Sequence, residues 1–388
     1  MSRLNAGRLC LHLGRFGCCL ACSGRRTNKS TRHVDMMGFR FDWQLLLLFV
    51  AVVLWIFTSQ ENENVKIKSI FQKLFVYLDA IFYMIISKDT KGLGPKKTPD
   101  PNDIKDKNCK TKTVIFIRHG ESDWNNVFNK GINPGMLVRF LLAWKDEIWY
   151  WATGHSIFID SPLNYEGIEQ AIALRKFVQN PSSALSEDDP AAPLLSCLRG
   201  DGGSSVICSS ILRRAVATTT VALWPRLEKK GDKIHLLTSL QEISRNVDAY
   251  SISPAEHIAD LPFSRIVDIC GGKDNFVPEK VYECSTNHGN KTTSFYGIRR
   301  LNAFNEWMFK QHEQTIIVGG HSLWFKYYFQ TFLPHESTHE AKSKKISNSG
   351  VVGFTIQQTT DLLTEDGQPR YRIMPDSLVV VYGGFTTK

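Results

Sequence analysis

Short apolar runs, separated by stretches with helical spacing, constrain this chain to an alternating α/β fold. Six of them have the composition of buried strands: VIFI at 114–117, SVIC at 205–208, IHLL at 234–237, TIIV at 315–318, VVGFTI at 351–356 and SLVVVY at 377–382. Helical spacing is found at 171–178, 212–223 and 295–310. This alternation predicts a three-layer α/β sandwich, in which helices cover both faces of a mostly parallel central sheet.

Three longer segments interrupt the alternation. Residues 182–205 are rich in Ser, Asp, Pro and Gly, which predicts a mobile surface loop. Residues 128–158 contain the aromatic run WKDEIWYW, interpreted either as a core-packing helix or as a surface that faces substrate or membrane. Residues 246–294 are long and carry several lysines, as a lid over a binding site would.

The amino-terminal region has a different composition. Residues 1–42 hold eight Arg or Lys against two Asp, so +6 of the formal net charge of +9 lies there, and we predict a basic, disordered segment. An uncharged run of 17 residues follows at 44–60, with Trp43 and Trp55 near its ends. As a helix it would be about 25 Å long, near the short limit for crossing a bilayer. We therefore predict a transmembrane helix at 43–60, the alternative being a buried core helix.

Charge also bears on topology and localisation. Positive charge before the apolar run predicts a single-pass membrane protein with a cytosolic amino terminus. A second apolar stretch at 74–86, interrupted by Asp79, fits an interfacial helix, a domain-packing helix or the return arm of a hairpin, which would reverse the orientation. Both an endomembrane and a mitochondrial location fit the Arg-rich leader, and the side of the catalytic domain stays open.

The rest of the chain divides into two parts. Residues 61–112 are predicted to be an amphipathic segment and a linker, because 87–112 mixes charges with Gly and Pro without an apolar period. Residues 113–388 form the predicted catalytic domain. This part is only mildly basic and has no aromatic-plus-basic signature, which argues against nucleic-acid binding.

Cationic side chains come shortly after the ends of three of the predicted strands. Arg118 and His119 end the first run, Arg214 follows the second, and His321 comes after TIIVGG. We expect these side chains in one cleft, because ligands of α/β sheets bind beyond the carboxyl ends of the strands. Guanidinium groups suit phosphate oxygens, and a neutral imidazole is a nucleophile near physiological pH. The pattern predicts a phosphate pocket that contains a nucleophile.

These residues lie in motifs that resemble those of the histidine phosphatase superfamily, in the branch of the cofactor-dependent phosphoglycerate mutases. The motifs are R-H-G-E-S-x-W-N at 118–125, D-S-P-L-N-x-x-G-x-x-Q-A at 160–171, S-S-x-L-x-R-A at 209–215, L-x-E at 240–242 and the strand before His321. They occur in the family's order. Asn164, Ile211 and Ser322 depart from its pattern, at positions where Ser or Thr, Pro, and Gly are usual.

The resemblance implies a role for each site residue. His119 would be phosphorylated, and Glu242 would protonate the leaving group, with Asp248 as the second candidate for the acid. The groups that would bind the phosphoryl oxygens are Arg118, Arg214, His321 and Asn125. No metal and no other cofactor is implied, because the arginines and His321 supply the positive charge.

A phosphatase is predicted rather than a mutase, because the segment ISRNVDAYSISP at 243–254 does not resemble the corresponding mutase segment. The predicted function is therefore a membrane-anchored phosphatase that hydrolyses a phosphomonoester through a phosphohistidine. Its substrate would be a phosphorylated small molecule or a phosphoprotein, and its membrane contact would be the amino-terminal helix. A mutase-type phosphotransferase and a catalytically weak scaffold that binds a phosphorylated ligand are the alternatives.

Overall fold

A computed structural model describes residues 65–387, except 95, 106, 132, 151–154, 182–187, 259–263 and 293–295, with side chains from Lys73 onward. The predicted amino-terminal segment at 1–42 and the predicted transmembrane helix at 43–60 lie outside the described residues. Among the helices that are described, none combines the length and the apolar character needed to cross a membrane.

Within the described residues, the central sheet has eight strands. Their order is β4 (Tyr282–Glu283), β3 (Ile234–Leu237), β2 (Ser205–Ser210), β5 (Thr315–Gly320), β1 (Lys110–Arg118), β7 (Val351–Leu363) and β8 (Pro369–Ile373), with β9 (Val379–Tyr382) also paired to β7. The strands from β4 to β1 are mutually parallel, whereas β7 runs antiparallel to β1. A separate two-stranded sheet pairs β6 (Lys345–Ile346) with β10 (Phe385–Thr386).

Helices pack against both faces of the central sheet. The helices among the described residues are α1 (Val65–Ile86), α2 (Asp123–Phe128), α3 (Pro134–Trp149), α4 (Tyr165–Gln179), α5 (Ala192–Arg199), α6 (Arg213–Lys230), α7 (Ser264–Ile269), α8 (Pro278–Val281), α9 (Gly297–Lys310) and α10 (Ser322–Phe332). Ile115 and Ile117 of β1 join a core with α4, α5 and α6. Val114 and Phe116 join a second core with α9 and α10. The predicted α/β fold with a mostly parallel central sheet is thereby confirmed.

The segment predicted as a mobile loop contains a helix. Residues 192–199 form α5, and its side chains Leu194, Leu195 and Leu198 are buried in the first core. The loop prediction is wrong there, because the apolar residues of α5 are too few to stand out within a segment rich in Ser, Asp and Pro.

The stretch predicted as a linker reaches the core at several points. Asp89, Leu93 and Ile104 are buried, and β1 already begins at Lys110. This part of the chain therefore packs on the α/β fold, and Asp89 takes part in the contacts described below.

Two glycines hold the first two motifs together by close backbone packing. A Cβ on Gly120 would lie 2.5 Å from the carbonyl oxygen of Gly167, and a Cβ on Gly167 would overlap that of Glu121. The Asn164 side chain accepts a hydrogen bond of 2.8 Å from the Gly167 N–H and donates one of 2.8 Å to Glu121. Asn164 thus caps α4 as Ser or Thr would.

Candidate active site

The carboxyl ends of β1, β2 and β5 bring the predicted site residues together. Arg118 ends β1 and His119 follows it, Arg214 lies in the first turn of α6, and His321 directly follows β5. Glu242 arrives from the segment after β3. Four of these five line a cleft of about 1100 Å³, and the fifth, His321, is fully buried with its ring centroid 5.1 Å from that of His119.

His119 is held in one tautomer. Its Nδ1 lies 2.6 Å from the carbonyl oxygen of Gly120. A carbonyl oxygen only accepts, so Nδ1 carries the proton and Nε2 keeps its lone pair. Burial and the charges of Arg214 and Arg118 lower the pKa of His119 well below its usual value. Because the ring is neutral at physiological pH, Nε2 is available as a nucleophile.

His321 contributes a second buried imidazole. Its Nε2 lies 2.8 Å from the hydroxyl oxygen of Ser210, and its Nδ1 has no hydrogen-bond partner among the described residues. Burial, the charge of Arg214 and the adjacent His119 lower the pKa of His321. Ser210 lies inside a motif quoted from the sequence, but the pattern alone assigned it no role.

Arg118 and Arg214 are both buried, and each has an N–H donor without a hydrogen-bond partner among the described residues. Arg118 donates from Nη1 to the Ile346 carbonyl at 2.5 Å, and Arg214 bonds both the carbonyl (2.8 Å) and the carboxylate (3.3 Å) of Asp248. The Nε atoms of both arginines have no hydrogen-bond partner among the described residues. Burial lowers the pKa of Arg118 to about 10, so the group is still charged at neutral pH. Buried guanidinium groups with unpaired donors suit an oxyanion.

Glu242 has the properties of an acid. Its Oε1 accepts hydrogen bonds from the backbone N–H groups of Ile243 (3.1 Å) and Trp324 (2.9 Å). Burial nevertheless raises its pKa above the usual value of 4.5. The second candidate for the acid, Asp248, also has its pKa raised by burial, but its carboxylate is engaged by Arg214. Asp248 is therefore placed to orient the arginine.

Asn125 also lines the cleft, where its Oδ1 accepts from the Asn129 side chain at 2.7 Å. Further polar groups on the cleft wall carried no motif in the sequence: Lys345, Ser347, Asn348 and Thr386. They come from the β6–β10 region, which pairs only in the folded chain. No local sequence pattern could have assigned them to the site.

One trio of donors at the site also has the composition of a metal site. Donor atoms of His119, Glu242 and His321 lie within 4.8 Å of one another. Arg118 and Arg214 lie beside these three residues. Their positive charges lower the pKa of His119, and the same charges would repel a metal cation. The combined set is better suited to an oxyanion than to a metal ion.

A buried ionic cluster supports Glu242 from behind. Lys291 donates to the Asp89 carboxylate (3.0 Å) and to the carbonyls of Glu242 (2.6 Å) and Ser244 (2.8 Å). Arg300 binds both carboxylate oxygens of Asp89, at 2.6 and 2.7 Å, and the carbonyl of Gln241. The segment that carries the proposed acid is therefore tied to the chain that follows α1.

Comparison with known proteins finds no matching family model and no matching curated protein. Solved structures do match. By its motifs at 118–125, 160–171 and 209–215, the chain resembles the histidine phosphatase superfamily.

Three of these solved structures show how distant the similarity is. Mycobacterial hydrolase 1 is 13% identical, with 68% of this chain and 97% of that chain covered and a TM-score of 0.32. A mycobacterial glucosyl-3-phosphoglycerate phosphatase is 14% identical, with 68% and 97% covered and a TM-score of 0.31. A phosphoserine phosphatase from Entamoeba histolytica is 16% identical, with 66% and 93% covered and a TM-score of 0.29. Similarities this low support no conclusion about activity or substrate.

Proposed function

We propose that this chain is a phosphatase that hydrolyses a phosphomonoester through a phosphohistidine at His119. The observation that carries the proposal is the 2.6 Å contact between His119 Nδ1 and the Gly120 carbonyl, which leaves Nε2 unprotonated. This nucleophile lies beside two buried guanidinium groups that suit a phosphoryl group.

The first step transfers the phosphoryl group to the protein. Nε2 of His119 forms a bond to phosphorus as the bond from phosphorus to the leaving oxygen breaks. Glu242 gives its proton to that oxygen, which leaves as an alcohol. Charge on the phosphoryl oxygens is stabilised by donors from Arg118, Arg214, His321 and Asn125.

The second step returns the site to its starting state. A water molecule attacks phosphorus while the Glu242 carboxylate accepts one of its protons. The bond between phosphorus and Nε2 breaks, so inorganic phosphate leaves with His119 neutral and Glu242 protonated again.

One segment of the cleft wall supports the preference for hydrolysis over a mutase reaction. The segment after Glu242 contributes Ser244, Asn246 and Asp248, and none of these side chains is cationic. A mutase that must hold an acidic substrate while the phosphoryl group moves would be expected to place arginines there. A mutase remains one alternative. The other is a catalytically weak scaffold that binds a phosphorylated ligand, which a wild-type chain without turnover would favour.

Membrane anchoring through residues 43–60 is part of the proposal, with a single span and a cytosolic amino terminus. It rests on the length and apolar composition of the run at 44–60 and on the positive charge before it. Protease protection of the catalytic domain in intact membranes tests it. Complete cleavage from the cytosolic side would contradict the orientation.

Hydrolysis of an aryl phosphate tests the proposed chemistry. The His119→Ala variant should lose activity by a factor on the order of 10⁴, because it lacks the nucleophile. His288→Ala, which changes an exposed histidine outside the cleft, should keep the wild-type rate. Equal rates for His119→Ala and wild type would contradict the mechanism, and an inactive wild type would favour the scaffold.

A further inference from the structure

Two neighbouring helices expose apolar side chains to the outside of the fold. On α1, Leu78, Phe82 and Ile85 are 53%, 58% and 68% exposed. Their spacing places them on one side of the helix. A surface helix of a soluble domain normally turns its apolar side toward the core, so α1 has the opposite arrangement.

The second helix, α3, shares this arrangement. Leu141, Ile148 and Trp149 are 56%, 59% and 80% exposed. Exposed apolar area of this extent on adjacent helices marks a surface that binds something, since single exposed apolar residues are common but groups of them are not.

A buried ion pair joins the inner sides of the two helices. Lys73 of α1 forms a buried ion pair of 3.0 Å with Glu147 of α3, and the Tyr77 hydroxyl donates to the same carboxylate at 2.5 Å. Glu147 also accepts from the hydroxyl of Ser156 (3.1 Å) and the backbone N–H of Ile157 (2.5 Å). These contacts fix the helices to one another and to the fold, so the apolar sides are held outward.

The sequence before α1 indicates what covers the exposed apolar sides of α1 and α3. Only four residues separate the uncharged run at 44–60 from Val65, so a chain anchored there begins α1 beside the bilayer. On α3, Trp144 and Trp149 are exposed, and Trp favours the boundary between headgroups and acyl chains.

We propose that the exposed sides of α1 and α3 form a docking face that lies on a lipid bilayer. The helices lie in the interface rather than cross it, because α1 carries Asp79 and neither helix has the apolar character of a span. The docking face rests on the membrane anchor of the proposed function, but not on the proposed chemistry.

Lipid photolabelling tests the docking face. The full chain is placed in vesicles of phosphatidylcholine and phosphatidylserine that include a lipid with a diazirine on its acyl chain, and adducts are mapped by mass spectrometry. Adducts are expected in 75–86 and 137–149 as well as in 44–60. The double variant Leu141→Glu, Trp149→Glu should reduce those in 134–149 about tenfold, because charge opposes insertion. Leu363→Glu, which changes an exposed apolar residue of β7, should leave the map unchanged.

The map separates the proposals from one another. Adducts confined to 44–60 would retain the anchor and overturn the docking face, whereas adducts nowhere would overturn both. A parallel reaction with a bifunctional cross-linker tests for contact between copies. Cross-links through 137–149, without lipid adducts there, would identify the face as a contact between two chains and also overturn the proposal. The map of the unaltered chain decides these cases even if the double variant does not fold. Hydrolysis of a soluble aryl phosphate is measured separately and tests only the chemistry.

Discussion

Lys291 donates a hydrogen bond of 2.6 Å to the backbone carbonyl of Glu242, so a buried ammonium group holds the proposed acid in place. Burial lowers the pKa of Lys291 to about 8, while the nearby carboxylate of Asp89 acts in the opposite direction. Lys291 and Arg300 both depend on that carboxylate, which lies just after α1. The position of Glu242 therefore depends on a residue far away in the sequence.

Asp89→Asn should destabilise the fold. The substitution leaves two buried cations without their counter-charge, and the breaking of a buried ion pair costs about 3 kcal/mol or more. Denaturant unfolding measures the loss, and turnover should fall as well because the Glu242 segment loses its support. Asp188→Asn, which changes an exposed carboxylate, should shift stability by less than about 0.5 kcal/mol. Equal stabilities for the two variants would show that the buried cluster is not needed.

The fall in activity at alkaline pH should report the loss of the proton from Glu242. The acid must be protonated, and burial raises its pKa, so activity should fall as pH rises through that raised value. His119 must be neutral, and its pKa is lowered, so the acidic side should lie below the usual histidine value of 6.5.

Glu242→Gln should abolish the fall in activity at alkaline pH. It should slow hydrolysis of an alkyl phosphate by about 10²-fold or more, and that of a nitrophenyl phosphate much less, because nitrophenolate leaves without a proton. Asp248→Asn should keep that fall. If Asp248→Asn loses it and Glu242→Gln does not, Asp248 is the acid.

Arg214→Lys should lower kcat/KM for an aryl phosphate about 10²-fold. Lysine keeps the charge but lacks the planar fork that contacts Asp248 and that, in the proposed mechanism, binds the phosphoryl oxygens at the same time. Steady-state kinetics measure the effect, with Arg199→Lys as the control because Arg199 pairs with Asp201 at the surface. A variant as active as wild type would show that only the charge at position 214 is required.

Gly167→Ala should destabilise the fold by about 2 kcal/mol through overpacking. The added methyl group would overlap the backbone of Glu121 and displace the segment that carries His119. Gly203→Ala is the matched control, since a Cβ there meets no atom within 4 Å. Thermal or denaturant unfolding compares the two, and a Gly167→Ala protein as stable as Gly203→Ala would contradict the close packing.

The parts of the fold predicted from sequence were those with a strong local pattern. The β-branched runs at 114–117 and 315–318 became β1 and β5, because a strand buried on both faces must be apolar throughout. The short β8, PRYRI, was missed because its apolar residues alternate with arginines. The aromatic run that ends α3 was predicted as a core helix or an exposed surface, and the exposure of Trp149 favours the surface.

The sequence predicts those site residues that come shortly after the end of a strand. His119 and His321 come directly after recognisable strands, and Arg214 lies four residues after the end of another, so the topology brings them together. Asp89 and Lys291 were out of reach, because single polar residues some 200 positions apart share no local pattern. Lys345 was missed for the same reason, since it joins the cleft only through the pairing of β6 with β10.

The measurement that tests the central claim most directly is the detection of phosphate on His119. The full chain is mixed briefly with an aryl phosphate, quenched in base to preserve an acid-labile phosphohistidine, and analysed by mass spectrometry of its peptides. Phosphate should be found on His119 of the wild-type chain and of Glu242→Gln, and be absent from His119→Ala. Hydrolysis without a phosphorylated His119, or phosphate bound at another residue, would contradict the mechanism.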